Sequence, residues 1–132
     1  MSKEIIGRDE WMTRLPERDK KLYAMYSSVV DCIVTDQPLM MIPVDDHMVH
    51  RGDGVFESFK CMDGCIYNLN AHLERLERSC GQIGLQLPVP LDEMADIVVQ
   101  TIRAGGNPDA LVRLLVSRGL ARLTLLMEPP GE

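Results

Sequence analysis

An alternating segment that ends in an Asp-Gly pair is the feature that most limits how this chain can fold. Residues 55–61 read VFESFKC, and Met62, Asp63 and Gly64 separate them from a second short segment at 65–69. An Asp-Gly pair between two such segments is typical of the tight turn that joins neighbouring antiparallel strands. The sequence therefore predicts a β-hairpin at this place.

The two faces of the first hairpin strand are predicted to differ in composition. Side chains alternate between the faces of a strand. One face is expected to carry Phe56, Ser58 and Lys60, and the other Val55, Glu57, Phe59 and Cys61. Because each face contains a charged residue, each is expected to need a polar neighbour.

Two helices are predicted after the hairpin. The first is expected to begin at an N-cap, Asn70, and to end before a left-handed Gly84, with a buried stripe of Leu73, Leu76, Cys80 and Ile83. The second is predicted over 91–104, where Gly105 and Gly106 stop it, with Leu91, Ala95, Val98 and Ile102 facing inward.

Strands are predicted on both sides of these helices. The segment 110–117 is expected to place Leu111, Arg113 and Leu115 on one face, and strands are also predicted at 26–34 and 39–44. Short helical pieces interrupted by Pro16 are expected before them. This order predicts an α+β fold, a mainly antiparallel sheet with two helices packed on it.

Composition restricts the classes of function. The chain has 132 residues, which suits one domain, and its net charge of −6 argues against a nucleic-acid surface. No segment approaches the roughly 20 apolar residues of a membrane span. The four cysteines form no C-x-x-C pair and the N-terminus resembles no signal peptide, so we expect a cytoplasmic protein, with an organelle left open.

Four pieces in a fixed order carry a resemblance to a known family. They are Arg51-Gly-Asp-Gly-Val-Phe-Glu57, the Asp-Gly hairpin leading into Ile66-Tyr-Asn-Leu69, His72-Leu-Glu-Arg75-Leu76, and Ala110-Leu-Val-Arg113-Leu-Leu-Val-Ser-Arg-Gly119. Together they resemble the N-terminal domain of the class IV aminotransferases. That family includes branched-chain and D-amino-acid aminotransferases and aminodeoxychorismate lyase. The resemblance implies the small N-terminal domain of fold-type IV enzymes, a pyridoxal phosphate cofactor, amino or keto acid substrates and a homodimer.

The resemblance also assigns roles to five residues. Arg75 would contact the cofactor's phosphate, for which a permanently charged planar guanidinium is well suited. The substrate pocket would be lined by Phe56, Ser58, Lys60 and Arg113. Branched-chain enzymes carry Phe, Gly and Arg at the first three of these positions, so only Phe56 matches and the substrate is left open.

Three of these assignments have a structural alternative. Arg75 could be a surface arginine in a helical charge pattern, and Phe56 could pack in the core. Arg113 lies between two leucines and needs a carboxylate partner if it is buried. Glu57 could be that partner, whereas the functional interpretation assigns Arg113 to a substrate carboxylate.

His47 and His50, beside two aspartates, could suggest a metal site, but a strand-to-loop stretch would point them apart, so no metal site is predicted.

The chain departs from the family pattern after the pocket strands. All four lysines lie within the first 60 residues, whereas the family's catalytic lysine comes from a second domain. The chain is therefore interpreted as truncated before that lysine and inactive alone, with no catalytic residue of its own. The alternative is a non-catalytic domain that dimerises or binds a phosphorylated small molecule.

Three parts are expected along the chain. They are an N-terminal helical extension over 1–25, the class IV domain over 26–119 and an irregular tail over 120–132. Lyase-like relatives continue Arg-Gly-Pro-Gly-Ser-Phe, whereas this chain continues Arg118-Gly119-Leu-Ala-Arg-Leu. The difference indicates a frameshift or a misjoined exon directly after Gly119.

Overall fold

The computed structural model describes residues 1–18, 21–118 and 122–131. Three strand pairs are separated along the chain by helices, as in an α+β fold. The strands are β1 (Ala24–Ser27), β2 (Cys32–Val34), β3 (Gly54–Met62), β4 (Cys65–Ile66), β5 (Ala110–Ser117) and β6 (Arg122–Glu128). The helices are α1 (Arg8–Thr13), α2 (His47–Arg51), α3 (Leu69–Gln82) and α4 (Leu91–Gly105), with a 3-10 turn at Gln37–Leu39. None of the described helices is long and apolar enough to cross a membrane.

The described strands form one antiparallel sheet in the order β2-β1-β6-β5-β3-β4. Helices α3 and α4 pack on one of its faces, where buried residues of the strands and both helices form the main core. The predicted α+β fold with two helices on an antiparallel sheet is therefore confirmed. We call the side that carries α3 and α4 the helix face, and the opposite side the open face.

Strand β6 lies near the middle of the sheet, between β1 and β5. The expectation of an irregular tail over 120–132 is therefore wrong. Leu123, Leu125 and Met127 alternate with less buried residues, and all three are buried on the helix face. This is a regular strand pattern. The suspected junction after Gly119 lies at residues 119–121, outside the described residues.

The hairpin of β3 and β4 is confirmed. Asp63 and Gly64 form a two-residue turn with φ angles of 52° and 76°. Positive φ at both positions is what a type I′ turn requires, and it matches the twist of the two strands. Strand β4 is shorter than predicted because Asn68 turns the chain into the left-handed region and α3 begins at Leu69.

Helix α3 differs from its prediction at its N-terminus and in one residue of its buried stripe. Asn70 lies inside the helix, and the N-cap position is held by Asn68 without a side-chain cap. Leu73, Leu76 and Cys80 are buried as predicted, but Ile83 is partly exposed. The left-handed Gly84 is confirmed by its φ of 69°. Helix α4 has nearly the predicted bounds. Of the residues predicted to face inward, Val98 is buried and Leu91, Ala95 and Ile102 are partly buried, while Met94 and Thr101 are buried as well.

The N-terminal third contains fewer long strands than predicted. The segment 26–34 is a hairpin of β1 and β2 rather than one strand, with Asp31 at a φ of 49° in the turn. The segment 39–44 was predicted as a strand, but after the 3-10 turn ends at Leu39 it forms no strand, and only Met40 in it is buried. Of the extension over 1–25, the described part holds one short helix, α1, and β1 already begins at Ala24.

Helix α2 lies against the open face beside the start of β3. Asp46 caps it by accepting a hydrogen bond of 2.9 Å from the Met48 amide. The side chain of Met48 then reaches Gly54, where an added Cβ would come within 2.5 Å of Met48 Cε and of the Val116 carbonyl oxygen. Gly54 therefore permits β3, β5 and α2 to meet closely.

Candidate functional site

Four residues predicted to bind substrate lie together on the open face. In the register of β3 and β5, Phe56 pairs with Leu115, Ser58 with Arg113, and Lys60 with Leu111. Directly paired residues of antiparallel strands project from the same face of the sheet. The structure therefore brings Phe56, Ser58, Lys60 and Arg113 into one patch, which we call the open-face patch.

The side chains of this patch are incompletely satisfied. Phe56 is 65% exposed, although it is a large apolar residue, and Lys60 is exposed with no ion pair to the described residues. The Oγ atom of Ser58 is shielded from solvent and has no hydrogen-bond partner among the described residues. Buried polar atoms almost always have partners. A wall with an exposed aromatic ring, a free cation and an unpaired hydroxyl is suited to contact a ligand.

Arg113 has a partner that the sequence did not indicate. Its Nε atom lies 3.2 Å from Oε1 of Glu128, which is buried. Glu57, one of the two partners considered from the sequence, is not in contact with Arg113, because it lies on the helix face. Since residues 120–132 were interpreted as a tail, β6 was not expected to supply a carboxylate here. The pair holds one edge of the Arg113 guanidinium, and its side chain remains partly exposed.

Arg75 belongs to a separate cluster on the helix face. Its Nε atom lies 3.0 and 3.1 Å from the two carboxylate oxygens of Glu57, and its Nη2 atom also contacts Glu57. His72 Nδ1 lies 2.6 Å from Oε1 of the same carboxylate. The side chain of Arg75 is 58% exposed, whereas that of Glu57 is 5% exposed. The predicted phosphate ligand is therefore not part of the open-face patch, and it reaches solvent from the rim of the helix face.

Within this cluster, Glu57 and Arg75 shift each other's pKa toward the charged forms. Burial alone would raise the pKa of Glu57, but hydrogen bonds and charge from Arg75 and His72 outweigh it and hold this pKa below its ordinary value. Contact with Glu57 raises the pKa of Arg75. At neutral pH the cluster therefore contains a buried carboxylate and a permanently charged guanidinium.

The two histidines considered for a metal site lie on α2 rather than in a strand-to-loop stretch. Asp46 beside them is engaged as the helix cap. The described residues contain no group of three or more His, Cys, Asp or Glu side chains that could hold a metal ion. All four cysteines, Cys32, Cys61, Cys65 and Cys80, are free thiols.

An acidic cleft between α4 and β1 was not predicted. It has a volume of about 360 Å³ and is lined by residues that include Tyr26, Asp31, Glu93 and Asp96. Tyr26 donates a hydrogen bond of 2.9 Å to Asp31. Burial, together with this carboxylate, raises the pKa of Tyr26 to about 12. The residues of this cleft come from the β1–β2 hairpin and from α4, which are far apart in the sequence, so no local pattern reveals it.

The arrangement of the hairpin, the helix α3 and the strands β5 and β6 has a counterpart in a known family. A profile of the family described as amino-transferase class IV matches residues 54–131, more than half of the chain. The chain belongs to the class IV aminotransferase family. The match continues through β6, well past the boundary at residue 119 that the sequence analysis expected.

Curated relatives bear names from several activities of this family. The D-amino-acid transaminase, chloroplastic, of Arabidopsis thaliana is 41% identical over 106 residues, which are 80% of this chain and 28% of that protein. A putative branched-chain-amino-acid aminotransferase of Methanocaldococcus jannaschii is 37% identical over 68% of this chain and 31% of its own length. The chain thus spans less than a third of the length of these relatives.

Solved structures of the family share the fold. The branched-chain aminotransferase of Thermoproteus uzoniensis with norvaline has a TM-score of 0.72 and 26% identity, and it covers 84% of this chain and 42% of that one. The T.th. branched-chain amino acid aminotransferase with pyridoxamine 5′-phosphate has a TM-score of 0.74 over 86% of this chain and 42% of that one. At 18% identity, this second likeness shows the fold alone.

Proposed function

We propose that this chain is the N-terminal-domain part of a pyridoxal-phosphate-dependent aminotransferase or aminodeoxychorismate lyase-like enzyme that acts on amino and keto acids. The observation that supports it most is the open-face patch. There an exposed aromatic ring, two cations and a hydroxyl without a partner in the described part of the chain lie side by side on paired strands. Core packing does not require such a combination on one face. A ligand that is partly apolar and partly anionic would satisfy it.

The described residues fit the cofactor at its phosphate. A guanidinium carries five N–H donors in a fixed plane, and such a group suits a phosphate dianion. Glu57 takes one edge of Arg75, and Nη1 has no hydrogen bond to the described residues. When bound, the cofactor supplies the electron sink for chemistry at the substrate's α-carbon. The role of Arg75 in this proposal is to hold the phosphate.

The four residues of the open-face patch are proposed to contact the substrate. Phe56 presents an apolar surface to the substrate side chain. The Ser58 hydroxyl, which has no hydrogen-bond partner among the described residues, can donate to the substrate. Lys60 and Arg113 supply positive charge for a carboxylate, and the Glu128 contact orients Arg113 while leaving part of it exposed. Because Ser58 and Lys60 differ from the Gly and Arg of branched-chain enzymes, the particular amino acid is not assigned.

A polypeptide restricted to these 132 residues is proposed to be inactive. Covalent attachment of the cofactor needs a positioned amine, and the sequence contains no lysine after Lys60. Lys60 is exposed on the open face and belongs to the proposed substrate wall. Reduction with borohydride in the presence of pyridoxal phosphate, followed by peptide mapping, should therefore give no stoichiometric labelling of a single lysine.

Assembly and location are also proposals. We propose a homodimer, because an exposed sheet face with Phe56 needs covering by another part of a class IV enzyme or by a second copy. A cytosolic location accords with the four free thiols. The chloroplastic name of the Arabidopsis relative leaves an organelle open.

Mapping a cofactor analogue by NMR tests the proposal. Pyridoxamine 5′-phosphate should shift the amide signals of Ser58 and Arg113 and the side-chain Nε–H signal of Arg75. Pyridoxamine without phosphate should shift the Arg75 signal much less. Shifts confined to the acidic cleft around Tyr26 would contradict the proposal. Phosphate-dependent shifts at Arg75 without any at the open-face patch would favour the alternative, a non-catalytic domain that binds a phosphorylated small molecule.

A further inference from the structure

Glu57 is a buried carboxylate on β3, and both of its side-chain partners come from α3. Arg75 contacts it through two nitrogens, and His72 Nδ1 lies 2.6 Å from it. The ring of His72 in turn packs against Phe59, with centroids 5.3 Å apart. The carboxylate therefore lies between the guanidinium of Arg75 and the imidazole of His72, and that imidazole packs against the buried ring of Phe59.

Stability alone is a weak explanation for this carboxylate. Burying a charge is costly, and an apolar residue of similar volume is often equally stable or more so at such a position. Its ionic partner, Arg75, is 58% exposed, so water screens much of their attraction. The charge at position 57 needs a further reason.

The contacts of Glu57 offer such a reason, because they orient the guanidinium of Arg75. With Nε and Nη2 bound to Glu57, the plane of the guanidinium is fixed, and its remaining edge faces away from the carboxylate. Arg78 lies on the same helix and is exposed, and it forms no ion pair with the described residues. Of these two arginines, only Arg75 is held in a defined plane.

We propose that Glu57 is a positioning residue that holds the free edge of the Arg75 guanidinium toward the cofactor's phosphate, with His72 bracing the same carboxylate. The proposal rests on the proposed function, in which Arg75 binds that phosphate. Glu57 itself touches neither phosphate nor substrate. It acts by removing the rotational freedom that Arg75 would otherwise lose when the ligand binds.

Two physical effects of Glu57 on anion binding oppose each other. Its negative charge weakens the attraction of Arg75 for an anion, so a purely electrostatic role predicts tighter phosphate binding once Glu57 is neutral. Ordering a long side chain opposes binding by a factor of roughly threefold to tenfold, so a positioning role predicts weaker binding. The sign of the change upon Glu57→Gln therefore distinguishes the two roles.

The experiment compares pyridoxamine 5′-phosphate with pyridoxamine on the ¹⁵N-labelled chain. The ratio of their dissociation constants gives the phosphate preference, which is measured for the wild type, Glu57→Gln, Glu57→Asp, Arg75→Ala and the control Arg78→Ala. We expect Glu57→Gln to lower the preference roughly threefold to tenfold. Glu57→Asp, which keeps the charge, should retain part of it, and Arg78→Ala should leave it within twofold.

Exchange of the arginine Nε protons provides a second readout that needs no ligand and no folded variant. In the wild type, the Arg75 Nε–H should exchange with water much more slowly than that of Arg78. Equal exchange would overturn the proposal. An unchanged or higher phosphate preference in Glu57→Gln would also overturn it. If Arg75→Ala keeps the full preference, the proposed function of Arg75 fails instead, so the two failures are distinguishable.

Discussion

Strand β3 borders two different environments, one on each side of the same sheet. On the helix face, Phe59 and Cys61 are fully packed and Glu57 has two partners. On the open face, Phe56 is exposed and Ser58 lacks a hydrogen-bond partner among the described residues. Residues that are adjacent in the sequence of β3 thus have different roles. Those on the helix face stabilise the domain, whereas those on the open face are free to contact a ligand or another protein surface.

The largest expected difference between the faces concerns the two phenylalanines. Phe59 is 3% exposed, so Phe59→Ala should reduce the free energy of unfolding by about 3–5 kcal/mol. Phe56→Ala should change it by less than about 0.5 kcal/mol, as surface substitutions do. Urea unfolding followed by circular dichroism measures both. Similar losses would mean that the open face is packed as tightly as the helix face.

The second prediction tests whether the helix face reaches the ligand at its rim. Arg75→Ala should weaken binding of pyridoxamine 5′-phosphate by about 1.5–3 kcal/mol, the range for hydrogen bonds to a charged group. Arg78→Ala should leave the affinity within twofold, measured by calorimetry or NMR titration. Equal losses of affinity would mean that any positive charge on this helix attracts the phosphate, without a specific contact from Arg75. A loss from Arg78→Ala alone would mean that the motif has been placed in the wrong register.

The third prediction uses pH to measure how much the buried carboxylate of Glu57 contributes to the free energy of unfolding. Because the pKa of folded Glu57 lies below its ordinary value of 4.5, its ionised form stabilises the fold above that pH. This contribution should be lost as pH falls through the folded pKa. At pH 7, Glu57→Gln should be less stable than the wild type by about 1–2 kcal/mol, somewhat below the full value of charged hydrogen bonds because Arg75 regains water.

A pH series of urea unfolding midpoints checks this expectation. The gap between the wild type and Glu57→Gln should be constant from pH 7 to about pH 5 and should narrow under more acidic conditions. Lys60→Ala, on the other face of the same strand, is the matched control and should show no such narrowing. A gap that widens in acid would mean that the pKa of Glu57 is raised rather than lowered.

The smallest expected effect concerns association through the open face. An exposed aromatic side chain such as that of Phe56 favours self-association. Phe56→Ser should reduce the concentration-dependent self-association of the chain while changing the free energy of unfolding by less than about 0.5 kcal/mol. Sedimentation velocity over a range of concentrations measures the first quantity. Unchanged association would place the contact surface elsewhere.

Local chemistry explains which parts of the fold could be predicted. The β3–β4 hairpin follows from Asp63 and Gly64, whose positive φ angles define the turn. Helix α4 follows from its apolar spacing and from the glycines that end it. Alternation along β3 also placed Phe56, Ser58 and Lys60 on one face correctly. Each of these features depends on residues that are close in sequence.

Long-range pairing explains what was missed. The carboxylate partner of Arg113 was missed because Glu128 comes from β6, which pairs with β5 only in the folded sheet. The buried character of Met40 was interpreted as part of a strand, although the segment around it forms no strand. That Arg75 and the open-face patch lie on opposite faces also depends on the packing of α3, which no local pattern contains.

The central position of β6 also governs the order in which the sheet can form. Strand β1 hydrogen-bonds to residues roughly 100 positions later, since Ala24 pairs with Met127 and Ser27 with Thr124. Contacts between such distant segments slow folding, because the intervening chain must lose its freedom first. While a ribosome is still synthesising residues before 122, β1 and β5 each have an unpaired edge, and unpaired edges favour aggregation. The sheet of the nascent chain is therefore complete only after β6 has been synthesised and has inserted between β1 and β5.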